Sequence, residues 1–182
     1  MPIVPESKDW TWVLEQPCAD CGFEPDTVVP AGIGDRLRAN VARWRPLLGH
    51  PEAATRPDDS TWSALEYACH VRDVYRLFDT RLHLMLDEDA PTFANWDQDE
   101  TALADDYGAQ DPTVVVDDLE ALGAVLAASF DAVPADAWSR TGLRSDGARF
   151  TISTFGTYLL HDPEHHVVDV TKGYEAIAAA VS

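Results

Sequence analysis

From Ala31 the chain takes up a helical rhythm. Ile33, Leu37, Val41, Trp44 and Leu48 recur at spacings of 4, 4, 3 and 4, which puts them on one face of a helix. Gly49 ends the run. Asp35, Arg36, Arg38 and Arg43 fall outside that stripe. A second helix is predicted from Ser63, where Ser63-Ala-Leu-Glu66 reads as a capping box flanked by Trp62 and Tyr67 as a hydrophobic staple. Its stripe is Tyr67, Val71, Val74, Phe78, Leu82 and Met85, and Asp87 to Pro91 stop it. The third opens at Asp111-Pro112, an N-cap followed by proline at the first helical position. It continues through Leu119, Leu122, Val125, Leu126 and Phe130 until Pro134. The fourth starts near Thr151 and runs to about Ala180. Its apolar residues, Ile152, Phe155, Leu159, Val167 and Val170 among them, wrap much of the circumference, as in a largely buried helix.

Residues 88–110 form a long polar crossover containing Phe93, Trp96 and Tyr107. A connection of this length is usually functional or bridges distant elements, and these aromatics either line a pocket or pin the loop. Residues 134–150 make a second irregular excursion, with room for a short hairpin around 140–150. The expected fold class is all-α: a four-helix bundle with a long crossover between helices 2 and 3. Residues 1–30, with Pro2, Pro5, Pro17, Pro25 and Pro30, read as an irregular N-terminal extension anchored by Trp10 and Trp12. Residues 31–182 read as the bundle.

Composition narrows the function. The 182 residues carry 13 basic and 32 acidic side chains, a formal charge of −19. Nucleic acid and anionic membrane surfaces both require a basic footprint, so neither is expected as a partner, and a small-molecule substrate is. No apolar run reaches a membrane span, and Met1 to Trp10 show no secretory signal. The odd, sparse set Cys18, Cys21 and Cys69 fits a reducing cytoplasm.

The six histidines are the most informative feature. His161 and His165 are four apart on the fourth helix, share a face and can bind one metal. His166 lies about 100° further round and is the weaker candidate. A third ligand would come from another helix, and His70 is placed for it. Glu66 lies a turn before His70 and Asp73 a turn after, so either carboxylate could orient its ring; a hydrogen-bonded core histidine is the competing reading. His83 reads as solvated, and His50 as a helix-end residue. Cys18-x-x-Cys21 reads as half a zinc knuckle, a redox pair or a plain turn. No second CxxC exists, and Cys69 and His50 are the distant candidates to complete a knuckle.

Trp62-Ser-x-x-Glu66-Tyr-x-x-His70 followed by His161-x-x-x-His165 resembles the DinB-like superfamily of four-helix metalloproteins over about residues 31–178. The strings YACHVRDVYRLFDTRL, FANWDQDE and HDPEHH look like its actinobacterial branch. The superfamily includes mycothiol-dependent maleylpyruvate isomerases and bacillithiol transferases. The resemblance implies three histidine ligands, matching His70, His161 and His165. Related bundles are often dimers, so a homodimer is expected, while Cys18 and Cys21 lie outside the basic bundle.

Three imidazoles leave a divalent metal with an open position, as in a catalytic site. Zinc is the default, and nickel, iron or copper also suit imidazole. The chemistry implied by the resemblance is S-transfer from a low-molecular-weight thiol of the mycothiol type to an electrophile. Its carboxylate would pair with an arginine such as Arg72, Arg76, Arg144 or Arg149. A metal-dependent hydrolase, using Glu66 or Asp73 as general base, is the first alternative. A non-enzymatic protein that binds a metal or small molecule in a stress response is the second.

Overall fold

The structure, a computed structural model, describes residues 9–181. Pro2, Pro5 and Lys8 of the expected extension lie outside the described residues, as does Ser182. Four long helices make the body: α1 (Ile33–Leu48), α2 (Ala64–Asp87), α4 (Pro112–Asp131) and α5 (Ile152–Val181). They correspond to the four helices expected from the sequence. The remaining elements are β1 (Thr92–Phe93), the short α3 (Gln98–Ala104), β2 (Thr141–Arg144) and β3 (Arg149–Thr151). No helix among the described residues is long and apolar enough to cross a membrane.

The start signals act as read. The Ser63 hydroxyl accepts from Glu66 N at 3.2 Å, and Glu66 Oε2 accepts from Ser63 N at 2.8 Å. The Trp62 and Tyr67 rings meet at 5.5 Å. Asp111 Oδ1 accepts from Thr113 N and Val114 N at the head of α4. Helices α4 and α5 each pack against both α1 and α2. Their shared interior buries Leu37, Trp44, Tyr75, Leu119, Phe130, Phe155 and Leu159. Gly123 lets α4 approach closely, because a Cβ there would strike Val41 Cγ2 and come within 3.0 Å of the Tyr75 ring. Asn40 ties three helices together. Its Oδ1 accepts from Trp44 Nε1 at 2.8 Å and Tyr75 OH at 3.0 Å, and its Nδ2 donates to the Pro163 carbonyl at 2.9 Å.

The two excursions are more ordered than their composition suggests. Strands β2 and β3 form the hairpin, pairing antiparallel with Gly142 opposite Phe150. Strand β1, from the distant crossover, pairs parallel to β2 with Thr92 opposite Leu143. Phe93 and Phe150 press on Phe155 of α5 at 6.0 and 5.9 Å. Helix α3 is capped by Asp97, which accepts from Glu100 N at 2.8 Å. It buries none of its residues, so it leaves no apolar stripe to read. The sheet and α3 hold the crossover against α2 and α5, where it walls a cavity.

Candidate metal centre and substrate cavity

Helix α5 runs past α2 on one side and past residues 9–29 on the other. A helix turns about 100° per residue, so His161 and His165 form one ladder and Asp162 and His166 form the next. The two ladders look in different directions. Among the described residues, the potential ligand atoms that lie within 4.8 Å of one another fall into two groups: His70 with Asp162 and His166, and Cys18 and Cys21 with His161 and His165. The histidines expected to act together are thus divided between them. His161 and His165 do share a face, but that face meets the N-terminal segment, and the ladder that meets His70 lies one residue on.

In the first group His70 Nε2 lies 3.3 Å from Asp162 Oδ2, and the His70 and His166 rings are 4.9 Å apart. Tyr67 flanks His166 at 4.8 Å, and Trp96 from the crossover stacks on His70 at 5.4 Å. His166 Nδ1 pairs with Asp169 Oδ2 at 2.9 Å, the outer-sphere carboxylate that orients a metal-binding imidazole. His70 Nδ1 and Asp162 Oδ1 are buried and make no hydrogen bond among the described residues. Unsatisfied polar atoms at such depth are uncommon and need a reason. A cation held by these three residues supplies one for Asp162 Oδ1, so the donor set fits a divalent metal, with His70 Nε2 rather than Nδ1 as the nitrogen that faces Asp162. Burial favours the neutral Asp162 carboxyl, yet His70, His166 and His161 outweigh it and hold the group well below the usual carboxylate range. Burial likewise opposes charge on His166, and Asp162 and Asp169 overcome it to raise its pKa.

This group borders a cavity of about 750 Å³, within the range of small-molecule sites. His70 and Asp162 line one part of it, and Arg81, Arg144 and Tyr158 line another. Arg144 pairs with Asp146 at 2.8 Å and donates to Tyr158 OH at 3.2 Å. Arg81 differs. Its residue is 6% exposed, its Nη2 donates to the Ala94 carbonyl at 2.6 Å, and it lies 4.9 Å over the Phe93 ring. No carboxylate among the described residues pairs with it. Burial, with Arg144 adding to it, pushes its pKa down to about 10, so the guanidinium keeps its charge at neutral pH. A buried cation of this kind facing a cavity is placed where an anionic group could pair with it.

The second group borders a smaller cavity of about 320 Å³ through His161 and His165. Cys18 Sγ lies 3.6 Å from His165 Nδ1. Trp10 covers both rings at 5.4 Å, and Phe23 meets His161 at 5.4 Å.

A family model described as the DinB superfamily matches residues 34–168. The chain belongs to the DinB superfamily. The match spans His70, His161, Asp162, His165 and His166 and leaves out Cys18 and Cys21, so the second group joins superfamily residues to a segment beyond the match. YfiT from Bacillus subtilis, a solved structure described as a probable metal-dependent hydrolase with an unusual four-helix bundle topology, superposes with a TM-score of 0.69. It is 18% identical, over 82% of this chain and 86% of that one, and at that identity it attests the four-helix-bundle fold alone. No curated protein matches in sequence.

The other candidates within the superfamily match have structural work. Glu66 is taken up by the capping box and by Arg56, which donates to it from Nε at 2.9 Å. Burial pushes the Glu66 carboxyl up, but Arg56 and Ser63 overcome it and leave it below its usual value. Asp73 accepts from Arg72 at 3.0 Å and Tyr107 OH at 2.6 Å, and Arg76 pairs with it at 3.3 Å. The carboxylate beside His70 is therefore Asp162, from another helix. Arg72 and Arg76 are accounted for by Asp73, and Arg149 is exposed. Burial pushes the Cys69 thiol up to about 12, as suits a packed core thiol. Neither His50, whose ring lies tilted against Tyr174 at 4.2 Å, nor His83, beside Asp79, belongs to either ligand group. Asp162 and Arg81 were missed by sequence reasoning. Asp162 had a signal, since it is four residues before His166 and one turn position from the ladder chosen. Arg81 had none, because its isolation depends on which residues surround it.

Proposed function

We propose that this DinB superfamily member is a metal-dependent enzyme that transfers a small anionic thiol to an electrophile, with His70, Asp162 and His166 holding a divalent metal. The observation that carries the reading is the cavity, with His70 and Asp162 of the ligand group on one side and the buried Arg81 guanidinium, which forms no ion pair among the described residues, on the other. Three protein ligands leave open positions, and a divalent metal bound there would favour ionisation of a thiol or water near neutral pH. Asp169 holds the His166 ring in place. Arg81, with Arg144 beside it, binds the thiol's carboxylate and so fixes which end of the molecule reaches the ligand group. Trp96 and the crossover cover the ligand side and limit water.

In the transfer the thiol gives its proton to solvent. Its sulfur lone pair forms the new S–C bond, and the leaving group departs with the electron pair of the bond that breaks. Apart from Asp162, which belongs to the ligand group, every carboxylate lining the cavity is held elsewhere: Asp9 accepts from Thr11, Asp97 caps α3, Asp146 pairs with Arg144, and Asp99 has an interaction of its own. A nucleophile that needs no carboxylate base suits this lining.

Hydrolysis is the second reading, favoured by the description of YfiT. Metal-loaded protein, incubated with carboxylate-bearing thiols plus electrophiles and separately with ester and amide substrates, decides between them by mass spectrometry. Thioether formation that disappears in Asp162→Ala supports transfer. Cleavage without thioether supports hydrolysis. Neither reaction, in a protein that binds metal, supports a binding role.

A further inference from the structure

We infer that Cys18, Cys21, His161 and His165 form a second, closed metal site that takes a tetrahedral thiophilic divalent ion such as zinc and staples the N-terminal segment to the bundle. This inference is independent of the chemistry assigned to the large cavity. The four ligand atoms lie within 4.8 Å of one another, two thiolate-capable sulfurs and two imidazole nitrogens. The spacing C-x2-C with H-x3-H is that of structural Cys2His2 zinc sites. With Zn–S near 2.3 Å and Zn–N near 2.05 Å, a tetrahedral ion separates sulfur from nitrogen by about 3.6 Å. The Cys18 Sγ to His165 Nδ1 distance is 3.6 Å. A thiol hydrogen bond would reproduce that one distance, so the inference rests on the convergence of all four atoms.

The backbone around the cysteines is built as a ligand turn. Gly22 N donates to the Cys18 carbonyl at 2.8 Å, and Cys18 N donates to the Phe23 carbonyl at 2.9 Å. The turn needs Gly22 in the left-handed region, at φ +76°, a conformation natural to glycine. Both cysteine side chains are thereby brought to the His161–His165 face. Cys18 and His161 are 1% and 5% exposed. Trp10, Trp12 and Phe23 surround the imidazoles. Lys172 Nζ donates to the Asp20 carbonyl at 3.3 Å, and Asp169 Oδ1 lies 3.6 Å from His165 Nε2. Four protein ligands complete a tetrahedron and leave no position for substrate, so the role is structural. Residues 9–11 line the large cavity, so the staple also holds part of the cavity's wall.

The full-length chain without a histidine tag is kept reduced and loaded with Zn²⁺ or Co²⁺. The cobalt form should show thiolate-to-cobalt absorption in the near ultraviolet and the visible bands of a tetrahedral ion. Cys18→Ser with Cys21→Ser should abolish that absorption and lower bound metal by about one equivalent per chain. His70→Ala and Cys69→Ser should leave the absorption intact. A folded wild type without it, or absorption that survives the double substitution, overturns the inference. Should the double variant fail to fold, alkylation of the wild type mapped by mass spectrometry replaces it. Zinc should protect Cys18 and Cys21, and a chelator should expose them. Labelling that zinc does not change overturns the inference. Loss of transferase activity without loss of this site would refute only the reading of the cavity.

Discussion

Arg81→Met tests the anion site through stability and binding together. Arg81 is 6% exposed, and burial, with Arg144 adding to it, lowers its pKa to about 10. At about 1.4 kcal/mol per pKa unit this corresponds to roughly 3 kcal/mol against the charged form. The sign follows from linkage. The unfolded chain holds this proton more tightly, so the cost is fully present below about pH 10 and fades as pH rises above it. Methionine removes that cost. It also loses the hydrogen bond to Ala94, worth about 1.5 kcal/mol for a charged donor, and cation–π contact with Phe93, about 0.5–1 kcal/mol. The net expectation is a gain of about 1 kcal/mol, or a melting temperature higher by roughly 2–4 °C for a chain of this size. The same substitution should weaken binding of an anion such as inorganic phosphate or a small dicarboxylate by about 10- to 150-fold, the loss of one charge-assisted contact. Thermal unfolding with and without the anion reads both quantities. A variant that melts several degrees lower would make Arg81 a structural residue. Anion protection equal to that of the wild type would refute its assignment as the anchor.

Asp169→Asn removes the carboxylate charge that holds the His166 ring, and should weaken metal binding at the His70 group by about 10- to 100-fold in a competition titration; unchanged affinity would place Asp169 outside that group's function. Glu66→Ala deletes the capping interaction and the carboxylate that Arg56 donates to, and should cost about 2 kcal/mol in urea unfolding. Because the folded Glu66 pKa is lowered, its contribution is present above the unfolded carboxylate range and is lost as pH falls through the folded value, so the difference from wild type should shrink in acid. Gly123→Ala pushes a methyl into Val41 and Tyr75 and should cost about 1–3 kcal/mol; a loss under about 0.5 kcal/mol would mean that α1 and α4 separate freely.

The long helices were legible because each carries both a period and a boundary signal. Ser63 with Glu66, and Asp111 with Pro112, mark starts that the structure reproduces to the residue. The crossover was legible in length but not in content, since α3 buries nothing and β1 is two residues whose partner lies some fifty positions away. The site was legible as a set of side chains on α5 but not as a partition. An offset of one residue decides which ladder faces α2, and an amphipathic pattern cannot resolve it in a helix that is apolar nearly all round. The CxxC motif reads as incomplete in sequence because the histidines that Cys18 and Cys21 meet lie about 140 residues further along the chain.

The stretch from His161 to His166 explains why one helix can serve two groups. Each position addresses a different neighbour. His161 meets Trp10 and Phe23, Asp162 meets His70, and the Pro163 carbonyl accepts from Asn40. Glu164 binds Arg36 through two oxygens at 2.8 Å, His165 meets Cys18, and His166 meets Asp169. Proline at 163 cannot donate to the carbonyl four residues back, so this turn is held less by its own ladder than by its neighbours. Arg36 also lies 5.2 Å over Phe23, the residue whose carbonyl closes the cysteine turn. The ion pair on one side of α5 therefore steadies the ligand turn on the other. The ladder that faces α2 can then keep its buried, unsatisfied atoms, because the rest of the turn is fixed by contacts that do not involve them.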